Sequence, residues 1–209
     1  KSVMFMLCTN GAEVTAVGLA SFTALPLPLK PLQILYLNVL TDVFPALALG
    51  VGAGAPGLMQ RPPRRPGEHV LTRAHWIEIG AWSFLIAMCV LVGLWLSGNW
   101  LGLEADAAVT VSFLILAFSK LWFTFALRDP GAGILRNEIT ENPWIWGAVV
   151  WCIALLIAAV YLPGLSDILQ TKPLSGSAWG LVLGMSVIPF LVGQVVREVQ
   201  RHLQRRGKQ

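Results

Sequence analysis

The chain has 209 residues, of which 56% are hydrophobic and 12% charged, and its mean hydropathy is +0.67. Soluble domains carry about twice that charged fraction, so this composition excludes a soluble globular protein and indicates a membrane protein. The formal net charge of +4 does not indicate a nucleic-acid partner, because the basic residues concentrate at the ends of apolar segments.

Six stretches of the sequence are apolar enough, and long enough at about 20 residues, to cross a bilayer as helices. They are roughly 2–24, 31–51, 75–97, 107–127, 144–163 and 177–197. The predicted fold is therefore all-α, a six-transmembrane-helix bundle in a lipid bilayer that forms one domain, 1–209. Three cysteines, Cys8, Cys89 and Cys152, fall in these stretches without paired spacing and are predicted to be free. The chain starts at Lys1 in apolar sequence without a signal peptide, and we expect it to be part of a longer polypeptide.

The distribution of Lys and Arg predicts the orientation of the chain in the membrane. Loops and termini on one side carry most of the basic residues, whereas the other side holds only Lys30 and Lys172. Cytoplasmic loops are the ones enriched in Lys and Arg, so both termini are predicted to be cytoplasmic. The basic residues assigned to that side, besides Lys1, are Arg61, Arg64, Arg65, Arg73, Arg128, Arg136, Arg197, Arg201, Arg205, Arg206 and Lys208.

The first predicted span carries Asn10 and Glu13, whose spacing places them on one helical face. Glu13 lies about halfway along the span, too deep to reach the headgroups. Either it serves an ion or it is a neutral acid bonded to a neighbouring backbone, and the sequence alone leaves both interpretations open.

The second span carries Asn38, Thr41 and Asp42, which also share one helical face. Their amide, hydroxyl and carboxylate oxygens are hard ligands suited to Ca²⁺ or Na⁺. Pro45 cannot donate a hydrogen bond to the carbonyl of Thr41, and its ring crowds that carbonyl. We therefore predict a helix break at Pro45 that frees a backbone oxygen beside the carboxylate of Asp42.

The fourth span contains Lys120, a basic residue about 10 Å from the cytoplasmic end of its helix. A lysine can extend part of that distance to reach the interface. The alternative is a tethered cation that faces Glu13 or Asp42 within the bundle.

Two motifs of this sequence resemble those of a known family. NVLTDVFPALALG, at 38–50, followed by GLMQRPPR, closely resembles the sixth transmembrane helix and following loop of P-type cation-transporting ATPases, in particular calcium pumps. NGAEV, at 10–14, resembles the fifth helix of that family. The resemblance covers the whole chain, as the last six of the family's ten transmembrane helices.

The resemblance implies that Asn10, Glu13, Asn38, Thr41 and Asp42 are ligands of the transported cation, with Ca²⁺ expected. Two positions depart from the calcium-pump pattern. Val43 stands where these pumps usually have glycine. Lys120 stands at a position where relatives have a glutamate or glutamine, and a charged ammonium cannot ligate a metal.

The phosphorylation, nucleotide-binding and actuator domains and the first four helices of the family do not occur in this sequence. The chain alone is thus not expected to hydrolyse ATP, and Mg-ATP would act only through those missing amino-terminal parts of the polypeptide. We expect a multi-pass protein of a bacterial plasma membrane. The alternative from another functional class is a stand-alone polytopic protein, either an ion-coupled carrier or a membrane scaffold.

Overall fold

The computed structural model of the protein describes residues 2–23, 25–51, 71–127 and 139–206, with side chains as far as Val196. These ranges are helical and contain no strand, which confirms the predicted all-α fold. The helices are α1 (Ser2–Ser21), α2 (Pro31–Leu37), α3 (Val43–Val51), α4 (Arg73–Asn99), α5 (Ala105–Ala126), α6 (Pro143–Tyr161), α7 (Leu165–Leu169) and α8 (Gly176–Arg206).

Six helical segments of the described chain are long and apolar enough to cross a membrane, and each corresponds to a predicted span. Local signals explain where several of them begin. Asn142 caps α6 by accepting a hydrogen bond from the amide of Trp144, and Pro143 occupies the first helical position. Pro31 likewise opens α2. The short α7 lies between the fifth and sixth spans.

The second span is formed by α2 and α3, which are joined without interruption by a π-helical turn at Asn38–Asp42. The predicted break at Pro45 is therefore wrong in form, because the helix continues through Pro45 in α3. The physical cause is the one anticipated, since proline lacks the amide hydrogen that an α-helix needs. The chain accommodates this by widening the turn that precedes the proline rather than by ending the helix.

α5 is the central helix of the bundle. In its most apolar stretch 89% of the residues are buried, against 22% in α8 and 50% in α4. It packs against α4 and α8 along their lengths, and α1 packs on α4. Three glycines permit close approach of helices, since a Cβ at any of them would overlap a neighbour. They are Gly11 of α1 against Ser83, Gly93 of α4 against Ile115 and Gly193 of α8 against Trp82.

A small polar cluster joins the second and fourth spans at the end of the bundle where α2 and α5 begin. Lys30 Nζ lies 2.7 Å from Asp106 Oδ1 and 3.4 Å from the carbonyl of Gln170. Gln33, buried in α2, donates to the carbonyl of Leu169 at 3.1 Å. These contacts join α2 both to the start of α5 and to α7.

The three cysteines are free and buried, as predicted. Most of the basic residues behind the predicted orientation, including Arg61, Arg64, Arg65, Arg128 and Arg136, lie outside the described residues. The side chains of Arg197 and the basic residues after it lie outside them too. The orientation therefore stays a prediction.

Candidate functional site

The bundle encloses a charged cluster built from three spans. Lys120 projects from the central α5 and is fully buried. Its Nζ lies 2.5 Å from Glu13 Oε1 of α1 and 3.0 Å from Asp42 Oδ1 of the π turn. Asn10 Oδ1, one helical turn from Glu13, lies at 3.5 Å from the same nitrogen. The ammonium thus has an acceptor on each of the two neighbouring spans.

This geometry decides between the two interpretations of Lys120. A lysine that extends towards the headgroups would expose its nitrogen, whereas here the whole side chain has 0% exposure. The carboxylates are nearly as buried, at 7% for Glu13 and 4% for Asp42. The ion pair predicted from the sequence is therefore present. Its role in ion binding stays a prediction.

The electrostatics of the cluster leave it one negative charge in excess when all three groups are ionised, because two carboxylates face one ammonium. Charges within a bilayer are stable only when paired or when they serve an ion or a water-filled cavity. The ammonium contacts both carboxylates but balances the charge of only one of them.

The π turn supplies the remaining predicted residues. Thr41 is buried, and its hydroxyl donates to the carbonyl of Leu37 at 2.8 Å, which leaves its lone pairs to accept. The side-chain oxygen Oδ1 of Asn38 is buried without a hydrogen-bond partner. Buried carboxamide oxygens are normally bonded, so an orphaned one on the same turn as Asp42 suits a site that accepts a cation.

The structure joins four of the predicted side chains directly, namely Asn10, Glu13, Asp42 and Lys120. Asn38 and Thr41 lie on the same π turn as Asp42. No group of three or more His, Cys, Asp and Glu side chains with metal-ligand geometry occurs within the described ranges.

Sequence reasoning missed residues that support the site from neighbouring helices. Ser83 of α4 donates to the carbonyl of Cys8 on α1 at 3.0 Å. Cys152 of α6 donates to the carbonyl of Leu40 in the π turn at 3.3 Å. Each is a small polar group within an apolar span, a pattern that also describes ordinary packing residues, and no sequence signal distinguishes the two cases.

Comparison with known proteins gives one family and a consistent set of relatives. The family described as "Cation transporting ATPase, C-terminus" matches residues 26–199. The chain is 33% identical over 189 residues to a "Calcium-transporting ATPase" of Bacillus subtilis (strain 168), which covers 90% of this chain and 21% of that protein. It is 28% identical to "Calcium-transporting ATPase 1" of Bacillus cereus, with 97% of this chain and 24% of that protein covered.

A human relative extends the comparison beyond bacteria. "Calcium-transporting ATPase type 2C member 1" of Homo sapiens is 26% identical over 201 residues, which cover 95% of this chain and 22% of that protein. The chain thus spans about a fifth to a quarter of the length of the curated relatives it matches.

Proposed function

The chain belongs to the family of cation-transporting ATPase carboxy-terminal domains, and from this premise we propose that it is the membrane transport domain of an ATP-driven P-type pump that moves Ca²⁺. The observation that carries the proposal is the buried pair of carboxylates, Glu13 and Asp42, which two different spans bring to one ammonium. The names of the relatives support Ca²⁺ as the cargo.

The proposed ligands are the side-chain oxygens of Asn10, Glu13, Asn38, Thr41 and Asp42. The orphaned oxygen of Asn38 supports this set, because a bound cation would satisfy it. The π turn supports it as well, because π turns in helices frequently occur at functional sites. The proposed role of Pro45 is to maintain that turn by withholding an amide hydrogen from the helix.

Lys120 is proposed to occupy the place of one ion. With both acids ionised, the cluster carries one net negative charge, so a bound divalent cation would leave one positive charge over. One further carboxylate from another part of the polypeptide would make the site neutral. The domain would then move one Ca²⁺ per cycle, since the ammonium excludes a second ion from its immediate surroundings.

The remaining ligands are proposed to come from amino-terminal parts of a longer polypeptide, which would also supply the domains that use Mg-ATP. The length of the relatives supports this, because the chain spans only 21% and 24% of the two bacterial proteins. Apolar side chains are exposed along α1 and the second span, and they include Val14, Val39 and Leu47, with exposed fractions of 74%, 59% and 62%. Further helices or lipid would cover these faces.

The proposal also places the domain in its membrane. The six apolar helices and the membrane ATPase relatives make this an integral multi-pass protein. Cytoplasmic termini and a bacterial plasma membrane are proposed from the distribution of Lys and Arg and from the bacterial relatives.

The test uses the full-length pump in membrane vesicles. Asp42→Asn should abolish Ca²⁺-dependent phosphorylation by ATP, because it removes the site's carboxylate on the π turn. Glu13→Gln should weaken the apparent Ca²⁺ affinity less, since Asp42 remains. Glu104→Gln, which changes an exposed acid at the start of α5, serves as the control and should behave as the wild type.

Normal phosphorylation of Asp42→Asn would move the ion site elsewhere in the molecule. A gene that starts immediately upstream of Lys1, with no phosphorylation motif in the same reading frame, would favour the alternative of a stand-alone carrier or scaffold.

A further inference from the structure

α6 is attached to the second span by hydrogen bonds at three levels. Each bond joins a side chain of one segment to a backbone carbonyl of the other. They run from Tyr36 Oη to the Leu155 carbonyl at 2.8 Å, from Cys152 Sγ to the Leu40 carbonyl at 3.3 Å, and from Asn142 Nδ2 to the Ala48 carbonyl at 3.1 Å. In chain order, the first bond lies before the π turn, the second reaches the turn itself, and the third lies after it.

Asn142, the cap of α6, donates to the carbonyl of Ala48 in α3. Tyr36 anchors α2 on the other side of the π turn. Both ends of the widened segment are thus held against the same helix.

The carbonyl of Leu40 lies within the π turn itself. Pro45, five residues further on, has no amide hydrogen to donate to this oxygen. The thiol of Cys152 is fully buried and lies within hydrogen-bonding distance of this oxygen. It therefore donates a hydrogen bond to a backbone carbonyl of the π turn.

We propose that Cys152 is a positioning residue for the cation site, and this inference rests on the proposed transport function. Its thiol stabilises the π turn by donating to the carbonyl of Leu40. The turn carries Asp42, whose carboxylate contacts Lys120. Without that donor the segment loses a bond that favours the widened register over the regular α-helix, and the carboxylate is held less firmly at the site.

The thiol suits this position for two reasons. Cysteine is small and behaves as a weakly polar apolar residue, so it packs into the interior of the bundle. It is also a weak hydrogen-bond donor, which allows it to contact a backbone carbonyl within the bundle. Cys152 acts only through the backbone of the π turn and is not itself proposed as a ligand.

The experiment compares variants of the full-length pump in membrane vesicles by the Ca²⁺ concentration that gives half-maximal phosphorylation by ATP. Cys152→Ala removes the donor and should raise this concentration about threefold to tenfold, the range for loss of one hydrogen bond. The maximal phosphorylation level should change little. Cys152→Ser retains a donor and should restore the wild-type concentration. Cys152→Val fills the volume without a donor and should resemble Cys152→Ala.

Cys89→Ala is the matched control, because Cys89 is another buried cysteine, on α4 and away from the π turn. It should leave the half-maximal concentration unchanged. A wild-type affinity in Cys152→Ala overturns the positioning role. So do equal losses in the Ser and Ala variants, which would indicate packing alone, or an equal loss in Cys89→Ala.

Asp42→Asn in the same assay distinguishes failure of the positioning role of Cys152 from failure of the proposed transport function. If Asp42→Asn is inactive and Cys152→Ala is normal, the positioning role fails while the transport function stands. If Asp42→Asn is phosphorylated normally in response to Ca²⁺, the proposed function fails and the positioning role falls with it.

Discussion

Lys120→Gln should remove the positive charge that pairs with Glu13 and Asp42, so that the two carboxylates need an added cation to balance them. The side chain of Lys120 is fully buried, with its nitrogen 2.5 Å from Glu13 and 3.0 Å from Asp42. At an effective dielectric constant of about 20, each pair contributes roughly 5–7 kcal/mol of Coulomb attraction. Desolvation of the three groups offsets much of this, at several kcal/mol per ion.

In the variant the two carboxylates remain buried, but no ammonium offsets the free-energy cost of removing them from water. Removing one partner of a buried pair destabilises a protein by about 3–5 kcal/mol. The two acids of the variant then lack a compensating charge, which favours binding of a cation between them. We expect the variant to be less stable than the wild type in a chelator and to recover much of the loss in Ca²⁺.

Two measurements on the full-length pump check this prediction. The first is the amount of bound radioactive calcium per phosphorylated enzyme together with the Hill coefficient, either of which should rise in Lys120→Gln. The second is the half-time of thermal inactivation with and without Ca²⁺. Lys30→Gln is the control, because Lys30 pairs with the exposed Asp106, and such surface pairs contribute about 1 kcal/mol or less.

The compensating role of the ammonium is refuted if Lys120→Gln keeps the wild-type calcium ratio, Hill coefficient and stability in chelator. Those results would mean that the ammonium neither excludes an ion nor compensates the two acids. A loss of stability that Ca²⁺ does not relieve would argue for a purely structural ion pair.

Two further substitutions test the backbone around the site. Pro45→Ala restores an amide hydrogen within α3, which allows the π turn to return to α-helical register, and should raise the Ca²⁺ concentration for half-maximal phosphorylation; an unchanged value would separate the proline from the site. Gly11→Ala places a Cβ against the hydroxyl of Ser83 and should lower stability by about 1–3 kcal/mol, measured by thermal inactivation. The control is Gly18→Ala on the same helix, which has open space at that position and should leave stability unchanged. Equal stability of the two glycine variants would contradict the close α1–α4 contact.

Hydropathy alone determined the number and approximate bounds of the spans, because the bilayer sets a minimum length for each apolar helix. The i, i+3 spacing of Asn10 and Glu13 was equally legible, and the structure brings both to Lys120. The motif around Asp42 indicated the family before any geometry was known. These features are local, so a linear sequence contains them.

The rotation and neighbours of each helix were decided only by the tertiary structure. Transfer of a side chain from water to lipid and transfer to a protein interior are almost equally favourable for apolar residues, so hydropathy does not report which face meets which helix. The position of the Lys120 nitrogen depends on this arrangement. From the sequence it could equally extend to the headgroups, whereas in the structure Glu13 of α1 and Asp42 of the π turn enclose it. The form of the irregularity near Pro45 was also a tertiary matter. Proline removes a donor in either case, and the packing of α6, with Cys152 at the Leu40 carbonyl, accompanies a widened turn where the sequence predicted a break.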